Sequence, residues 1–458
     1  MPMKKNDLIE LEITDVTGEG QGVGRTPEGL AVFVPMTAVG DYLTVRIVKI
    51  LSRYAYGIVE RLNTQSSDRI VPDCDVFTRC GGCQYRHITY EAELRLKQRQ
   101  VFETFARIGE VRFAEQRILP SPLEQGYRNK AQYPVRATAD GRCAAGFFAQ
   151  RSHRLVEAEN CRLHPPVFGK ILNAILEFAN QNGIKPYNEM TGKGLLRHIF
   201  LRSADATGEL MVCLVINGDS LAGAERLVKT LTTRFPQIKS IELNTNKAET
   251  NVILGGKCVT IYGDGAITDI LRGVKVRLSP LSFYQVNRLG AEQLYAAAEE
   301  FAAPQEAKLL VDLYCGAGTI GLSIANRVEK LIGVEIVAEA IENAKQNAAA
   351  NGFGNCEFIC ADASKASQLL AGRGLKPDVV ILDPPRKGSD YDCLAAVAKM
   401  QPDRIVMISC NPATAARDVK ILCQEFGYTA QKAVAVDMFP RTGHVETVVL
   451  MLRVEKQG

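Results

Sequence analysis

Cys410 closes the apolar run IVMISC, and Glu446, in GHVET, opens the run that follows it. Open α/β sheets expose the carboxyl ends of their strands to ligands, so a thiol there is placed to act as a nucleophile. The reaction that needs such a thiol beside a base is substitution at a pyrimidine ring. Carbon-5 of uracil is a poor nucleophile until a thiolate adds to carbon-6; once carbon-5 is substituted, a base must remove its proton. A free thiol with a pKa of about 8.5 is only a few per cent ionised at neutral pH, so a cation should assist. Arg386, in Asp383-Pro384-Pro385-Arg386, is the candidate. A lone cysteine would instead be read as an inert buried thiol, which is the expectation for Cys315, Cys356, Cys360, Cys393 and Cys423.

The run VDLYCGAGTIG sets Gly316, Gly318 and Gly321 between a strand and a helix, the G-x-G-x-x-G pattern that lets backbone approach a ligand closely. Glu335, ending the next strand, can accept hydrogen bonds from ribose hydroxyls. The loop alone does not separate NAD from S-adenosylmethionine, and a tight turn without ligand has the same appearance. Asp312 before the loop and Asp362 after the third strand favour adenosylmethionine. A third cluster, Cys74, Cys80 and Cys83 with the distant Cys161, offers four sulfurs and suits zinc or an iron-sulfur centre equally.

Positioning these groups requires several units, and 458 residues provide for two to four domains. With 46% hydrophobic and 23% charged residues the chain is ordinary globular material. The stretch from Met1 to Asp15 has no apolar signal core, and no uncharged run reaches about 18 residues. The expectation is a cytoplasmic monomer without membrane contact, its 13 cysteines reduced. From Leu8 to Leu62, short β-rich runs between glycine turns read as a small barrel. An amphipathic helix follows the cysteine segment, then a mixed α+β region. After Pro304 strands alternate with Ala-rich helices, which predicts a doubly wound parallel sheet. The net charge of +4 does not by itself indicate a polyanionic partner. Arg117, Arg128, Lys130, Arg136, Arg142, Arg151, Arg154 and Arg162 nevertheless outnumber the acids between them, a candidate phosphate-contacting face.

SPLSFYQVN (279–287), VDLYCGAGT, ILDPPRKG, SCNPATAARD and GHVET, in this order, resemble the signatures of the RNA uracil-carbon-5 methyltransferases of the RumA/TrmA type. The resemblance covers nearly the whole chain. It implies Cys410 as nucleophile and Glu446 as base, with Gln285, Tyr314, Thr319, Glu335, Asp362 and Asp383 contacting S-adenosyl-L-methionine; Thr319 stands where the family commonly has Asn. It implies a four-iron four-sulfur (4Fe-4S) cluster on Cys74, Cys80, Cys83 and Cys161, structural in role because methyl transfer moves no electrons. It also implies an OB-like TRAM barrel at 1–64, a central α+β iron-sulfur domain at 65–282 and a Rossmann-like methyltransferase domain at 283–458. A helix around 86–117 would fold back onto the last of these. TRAM-bearing relatives are mainly ribosomal RNA enzymes, so the implied substrate is a uridine of 23S ribosomal RNA, with transfer RNA as the alternative. Two other classes compete. A cytosine-carbon-5 methyltransferase would carry Pro-Cys where this chain has Asp383-Pro384-Pro385, and a non-catalytic RNA-binding iron-sulfur protein would need neither Cys410 nor Glu446.

Overall fold

A computed structural model describes residues 3–454. Strands Leu8–Glu12, Asp15–Val16, Gln21–Arg25, Ala31–Pro35, Tyr42–Ile50 and Tyr54–Thr64 form one six-stranded sheet. It curls around a small core that includes Val32, Val34, Leu43, Val45 and Ile47, all completely buried. The alternation of branched apolar with other residues along these strands sets that inward face.

A seven-stranded sheet follows, its inner strands Cys143–Phe148, Lys130–Ala137, Leu196–Ala204, Glu209–Ile216 and Ile238–Thr245. Helices Pro166–Gln181 and Ala224–Arg234 pack in the core on one face of it. Phe200, Met211 and Cys213 belong instead to a cluster with Leu294 and Phe301 of helix Arg288–Ala302 and Val406 of the last sheet. Apolar packing is thus continuous between the central unit and the catalytic one.

The last sheet has eight strands and is mixed rather than parallel. Cys356–Cys360, Lys330–Glu335, Leu309–Leu313, Val379–Leu382 and Arg404–Ser409 run parallel, with Leu309–Leu313 in the middle. Glu446–Arg453 inserts antiparallel between Arg404–Ser409 and Tyr428–Val436. The reason is the connection: Tyr428–Val436 leads into Glu446–Arg453 through the short loop 437–445, and a parallel return would require a crossover of a dozen residues or more. Tyr428–Val436 has polar Gln431 and Lys432 mid-strand, so its sequence pattern does not stand out.

The edge strand Arg117–Leu119 enters this sheet from the amino-terminal side, pairing with Tyr428–Val436. Helix Tyr90–Thr104 precedes it, capped by Thr89, whose hydroxyl accepts from the Ala92 N–H at 3.3 Å. Its Val101 and Phe102, then Phe105 and Phe113, pack with Val311, Leu313, Met407 and Val449. The helical stretch is shorter than the sequence predicts: a single wide turn, Phe105–Gly109, ends it at Glu110 in the left-handed region. Among the described residues no helix is long and apolar enough to cross a membrane.

Candidate active site

Strand direction explains why the thiol and the carboxyl meet. Ser409 is in register with Thr447 across an antiparallel ladder, so Cys410, just past one strand, and Glu446, at the start of the other, fall at the same sheet edge. Asn411 keeps the Cys410 turn in shape: its side chain caps helix Pro412–Glu425 through the Ala413 N–H, and its Nδ2 donates to the Arg386 carbonyl at 3.0 Å. That bond ties the Cys410 turn to the Asp383–Arg386 turn.

The local electrostatics are those of a crowded, poorly solvated edge. Burial and the neighbouring Asp383 push the Glu446 carboxyl up to about 8, against the opposing pull of Arg386. Burial also lifts Asp383 to about 7. The Cys410 thiol is raised by burial and by Glu446, while Arg386, within hydrogen-bonding reach, pulls it down. Burial thus disfavours the charged forms of all three groups, with one guanidinium poised to favour the thiolate.

The glycine loop lies along the same edge. Tyr314, Gly316 and Gly318 have φ of 66°, 54° and 79°, a path that suits glycine and is strained for tyrosine. Glu335 accepts from the Gly316 N–H at 3.2 Å and the Val337 N–H at 2.9 Å. Asp312 accepts from the Gly321 N–H at 2.9 Å, while its other oxygen is buried without a hydrogen-bond partner. A Cβ at Gly321 would fall 2.9 Å from that Asp312 carboxylate and 3.0 Å from Leu331. Burial raises Asp312 to about 7. Thr319 Oγ1 and the Tyr295 hydroxyl are 2.9 Å apart, Tyr314 reaches the Cys393 sulfur at 3.6 Å, and Asp362 caps helix Ala363–Gly372. A row of acids with one orphaned carboxylate oxygen, beside open backbone at Gly316, fits a cationic ligand rich in hydroxyl donors, as S-adenosylmethionine is. Gln285 stands apart: its carbonyl accepts from Asn129 at 2.9 Å, and among the described residues its side chain makes no hydrogen bond to the acids.

A cleft of about 510 Å³ opens over Cys410, lined also by Arg386, Asn411, His444 and Val445. Its opposite wall comes from the barrel, through Thr17, Gly18, Glu19, Gln21 and Phe33. Sequence reasoning missed this wall, because nothing in the barrel's own pattern says which loop faces the thiol. It also missed His444, although the residue lies inside GHVET.

The four clustered cysteines come together from segments far apart in sequence. Burial and the thiols of Cys83, Cys80 and Cys74 push Cys161 up to about 12. The Gly82 N–H donates to the Cys80 sulfur at 3.4 Å. Among the described residues no three such side chains converge on the point a single ion would occupy. A cleft of about 520 Å³ lined by Asp73, Cys74, Gln125, Cys161 and Arg162 lies beside them.

The basic stretch is not one open face. Arg136 pairs with Glu189, Arg142 with Asp140 and Arg151 with Glu19, and burial lowers the Lys130 ammonium to about 8. Only Asp140 is a near neighbour in sequence, while Glu189 and Glu19 come from distant segments, so part of the excess of cations seen in the linear segment is compensated in space.

A mixed sheet with an acid row, a glycine loop and the Asp383–Arg386 turn at its edge defines an S-adenosylmethionine-dependent methyltransferase. Residues 90–454 match the family described as tRNA (Uracil-5-)-methyltransferase, and residues 3–59 match the TRAM domain. The chain belongs to that family, and it is an RNA uracil-5 methyltransferase by class. It is 40% identical to an uncharacterized RNA methyltransferase of Halalkalibacterium halodurans, the match covering 98% of each chain. A similar protein of Clostridium acetobutylicum is 39% identical over 100% of this chain and 99% of its own. Among solved structures, the Pyrococcus abyssi tRNA (uracil-54, C5)-methyltransferase in complex with S-adenosyl-L-homocysteine superposes with a TM-score of 0.78 at 26% identity. That superposition covers 97% of this chain and 99% of the archaeal one.

Proposed function

We propose that the protein methylates carbon-5 of a uridine in 23S ribosomal RNA through covalent addition of Cys410 to carbon-6. The observation that carries the catalytic part of this reading is the Ser409–Thr447 register, which sets thiol and carboxyl at one sheet edge beneath a cleft with room for an unstacked base, while the ribosomal substrate rests on the TRAM match. When bound, S-adenosylmethionine supplies an electrophilic methyl group; Asp312, Glu335, Asp362 and Asp383 are the residues that would hold it, with Tyr314 and Thr319 beside them, while a role for Gln285 rests on the resemblance alone. Arg386 favours the Cys410 thiolate, the thiolate adds to carbon-6, and carbon-5 becomes nucleophilic and takes the methyl group. Glu446, once ionised, removes the carbon-5 proton, and the carbon–sulfur bond breaks to release Cys410. The chain works as a cytoplasmic monomer in units divided near residues 64 and 282, except that helix Tyr90–Thr104 and strand Arg117–Leu119 belong with the catalytic unit.

Both acting groups must lose a proton, and the Glu446 carboxyl sits at about 8. Raising the pH through that value ionises it, so the rate of 5-methyluridine release from Cys410, the step that needs the base, should rise by about tenfold per unit from pH 6.5 to about 8 and level off toward pH 9 where this ionisation limits it. Single-turnover rates across this range check the sign; a rate that falls over the same interval would contradict an ionised base.

A four-iron four-sulfur cluster on Cys74, Cys80, Cys83 and Cys161 is part of the proposal. What supports it is that Cys74, Cys80 and Cys83 lie close enough to Cys161 to raise its thiol, with a cleft beside them. Anaerobically purified protein should contain about four irons, and Cys161→Ser should lose them; stoichiometric zinc in place of iron would refute it.

Transfer RNA is the second reading, favoured by the Pyrococcus match, which extends over 97% of this chain. Mapping 5-methyluridine in both RNAs from cells with and without the gene decides between them. Loss from 23S ribosomal RNA supports the first reading, and loss from transfer RNA alone the second.

A further inference from the structure

The barrel is fixed to the catalytic unit at the cleft itself. A Cβ at Gly443 would fall 2.0 Å from the Gly18 carbonyl, so the loop before Glu446 and the barrel turn are in direct backbone contact. The Tyr85 hydroxyl donates to the Thr17 carbonyl at 3.1 Å, and Arg99 pairs with Asp15.

On the barrel wall the strand period points an unusual set of side chains outward. Val32, Val34 and Ala55 fill the core, so Phe33, Tyr54 and Tyr56 lie on the other face, each only half-buried. Phe33 and Tyr56 are partners in a parallel ladder. The ring centroids stand 5.5 Å apart for Phe33 and Tyr54, 5.8 Å for Phe33 and Tyr56, and 5.6 Å for the two tyrosines. The solvated face of a small sheet is normally polar, and three contiguous, only partly covered rings mark a surface that binds something. Cations border the rings: Lys49 is the register partner of Tyr56, and Arg386 shares the cleft with Phe33. Rings flanked by cations are the composition of a surface for single-stranded nucleic acid, with bases stacked on the rings and phosphates on the cations.

We propose that Phe33, Tyr54 and Tyr56 form a stacking platform for the unpaired bases next to the target uridine. A uridine drawn down to Cys410 leaves its neighbours without their stacking partner, and rings at the cleft rim replace it. The platform is continuous with the cleft because Phe33 lines both. This inference rests on the reading of the cleft as an RNA site, but it is tested by binding alone.

The experiment compares the full-length protein's affinity for a short fluorescent oligouridylate with that for the same strand carrying abasic positions. The wild type should prefer the strand with bases by about tenfold or more. The combined Phe33→Leu, Tyr54→Leu, Tyr56→Leu protein should bind both strands at the weaker level. Tyr54→Phe with Tyr56→Phe keeps the rings and should keep the preference, which holds the test open if the leucine protein folds poorly. A wild-type preference below twofold, or one that survives the leucine substitutions in folded protein, overturns the platform and leaves the rings as a protein contact. Scoring 5-methyluridine formation separately distinguishes the two failures: a base preference without methylation removes the catalytic reading only, and methylation without the preference removes the platform only.

Discussion

Glu446→Gln is expected to accumulate a covalent protein–RNA adduct that survives denaturing electrophoresis and carries label from methyl-labelled S-adenosylmethionine. The proposed base acts last, after the sulfur–carbon bond and the new methyl group both exist. Glutamine matches the shape of Glu446 but cannot take the carbon-5 proton, so Cys410 cannot leave. Overall turnover should fall by roughly 10²- to 10⁴-fold, the usual contribution of a placed acid or base. Glutamine also removes the ionisation lying at about 8, so the rise of rate across that pH should flatten. Cys410→Ala should give neither adduct nor product, a loss on the order of 10⁴-fold or more as for other covalent nucleophiles. Glu446→Gln turning over at the wild-type rate, or methylation by Cys410→Ala, would sink the assignment and point to another base or to direct transfer.

The sequence carried the chemistry further than the architecture. The placement of Cys410, Glu446, Glu335 and Asp383 at one sheet edge was legible because each stands at the junction of an apolar run with a turn, and period and turn chemistry fix strand ends. What a sequence does not carry is which way a strand runs. The alternation after Pro304 predicts parallel strands, but loop 437–445 is too short for a crossover and turns Glu446–Arg453 antiparallel. That reversal is what brings the carboxyl to the thiol. The barrel wall of the cleft was invisible for a related reason: the contact of Gly18 with Gly443 spans nearly the whole chain. The basic stretch misled because proximity in sequence was taken for proximity in space, while Glu189 and Glu19 come from elsewhere to meet Arg136 and Arg151. A buried cation inside helix Tyr90–Thr104 was equally hidden, since a lysine on an amphipathic helix is normally solvated.

That cation, Lys97, sets the largest stability effect. It is completely buried, and its ammonium donates to Glu93 Oε1 and Asp437 Oδ1, each at 2.7 Å, and to the Phe439 carbonyl at 3.1 Å. The Tyr90 hydroxyl donates to the other Asp437 oxygen at 2.8 Å, and the Arg441 N–H donates to Glu93 at 2.7 Å. These contacts hold loop 437–445, which leads directly to Glu446, onto the helix. Lys97→Met keeps the packing volume and removes the charge, leaving two buried carboxylates; breaking a buried pair in this way costs about 3–5 kcal/mol. Burial has already pushed Glu93 up to about 7 while Lys97 pulls it down, so the variant should raise it further. A carboxyl whose folded pKa lies above its unfolded value loses stability as pH rises between the two, and the deficit of Lys97→Met should therefore be larger at pH 8 than at pH 6. Adding Glu93→Gln and Asp437→Asn removes the uncompensated charges and should recover most of the loss. Urea unfolding midpoints at the two pH values test this, and a cost below about 1 kcal/mol at both would show that the ammonium is not needed to hold the two carboxylates. Methyl transfer by the recovered triple variant then separates folding from positioning: if the ion network also aims loop 437–445, rates should stay depressed after stability returns, because Glu446 enters its strand from that loop.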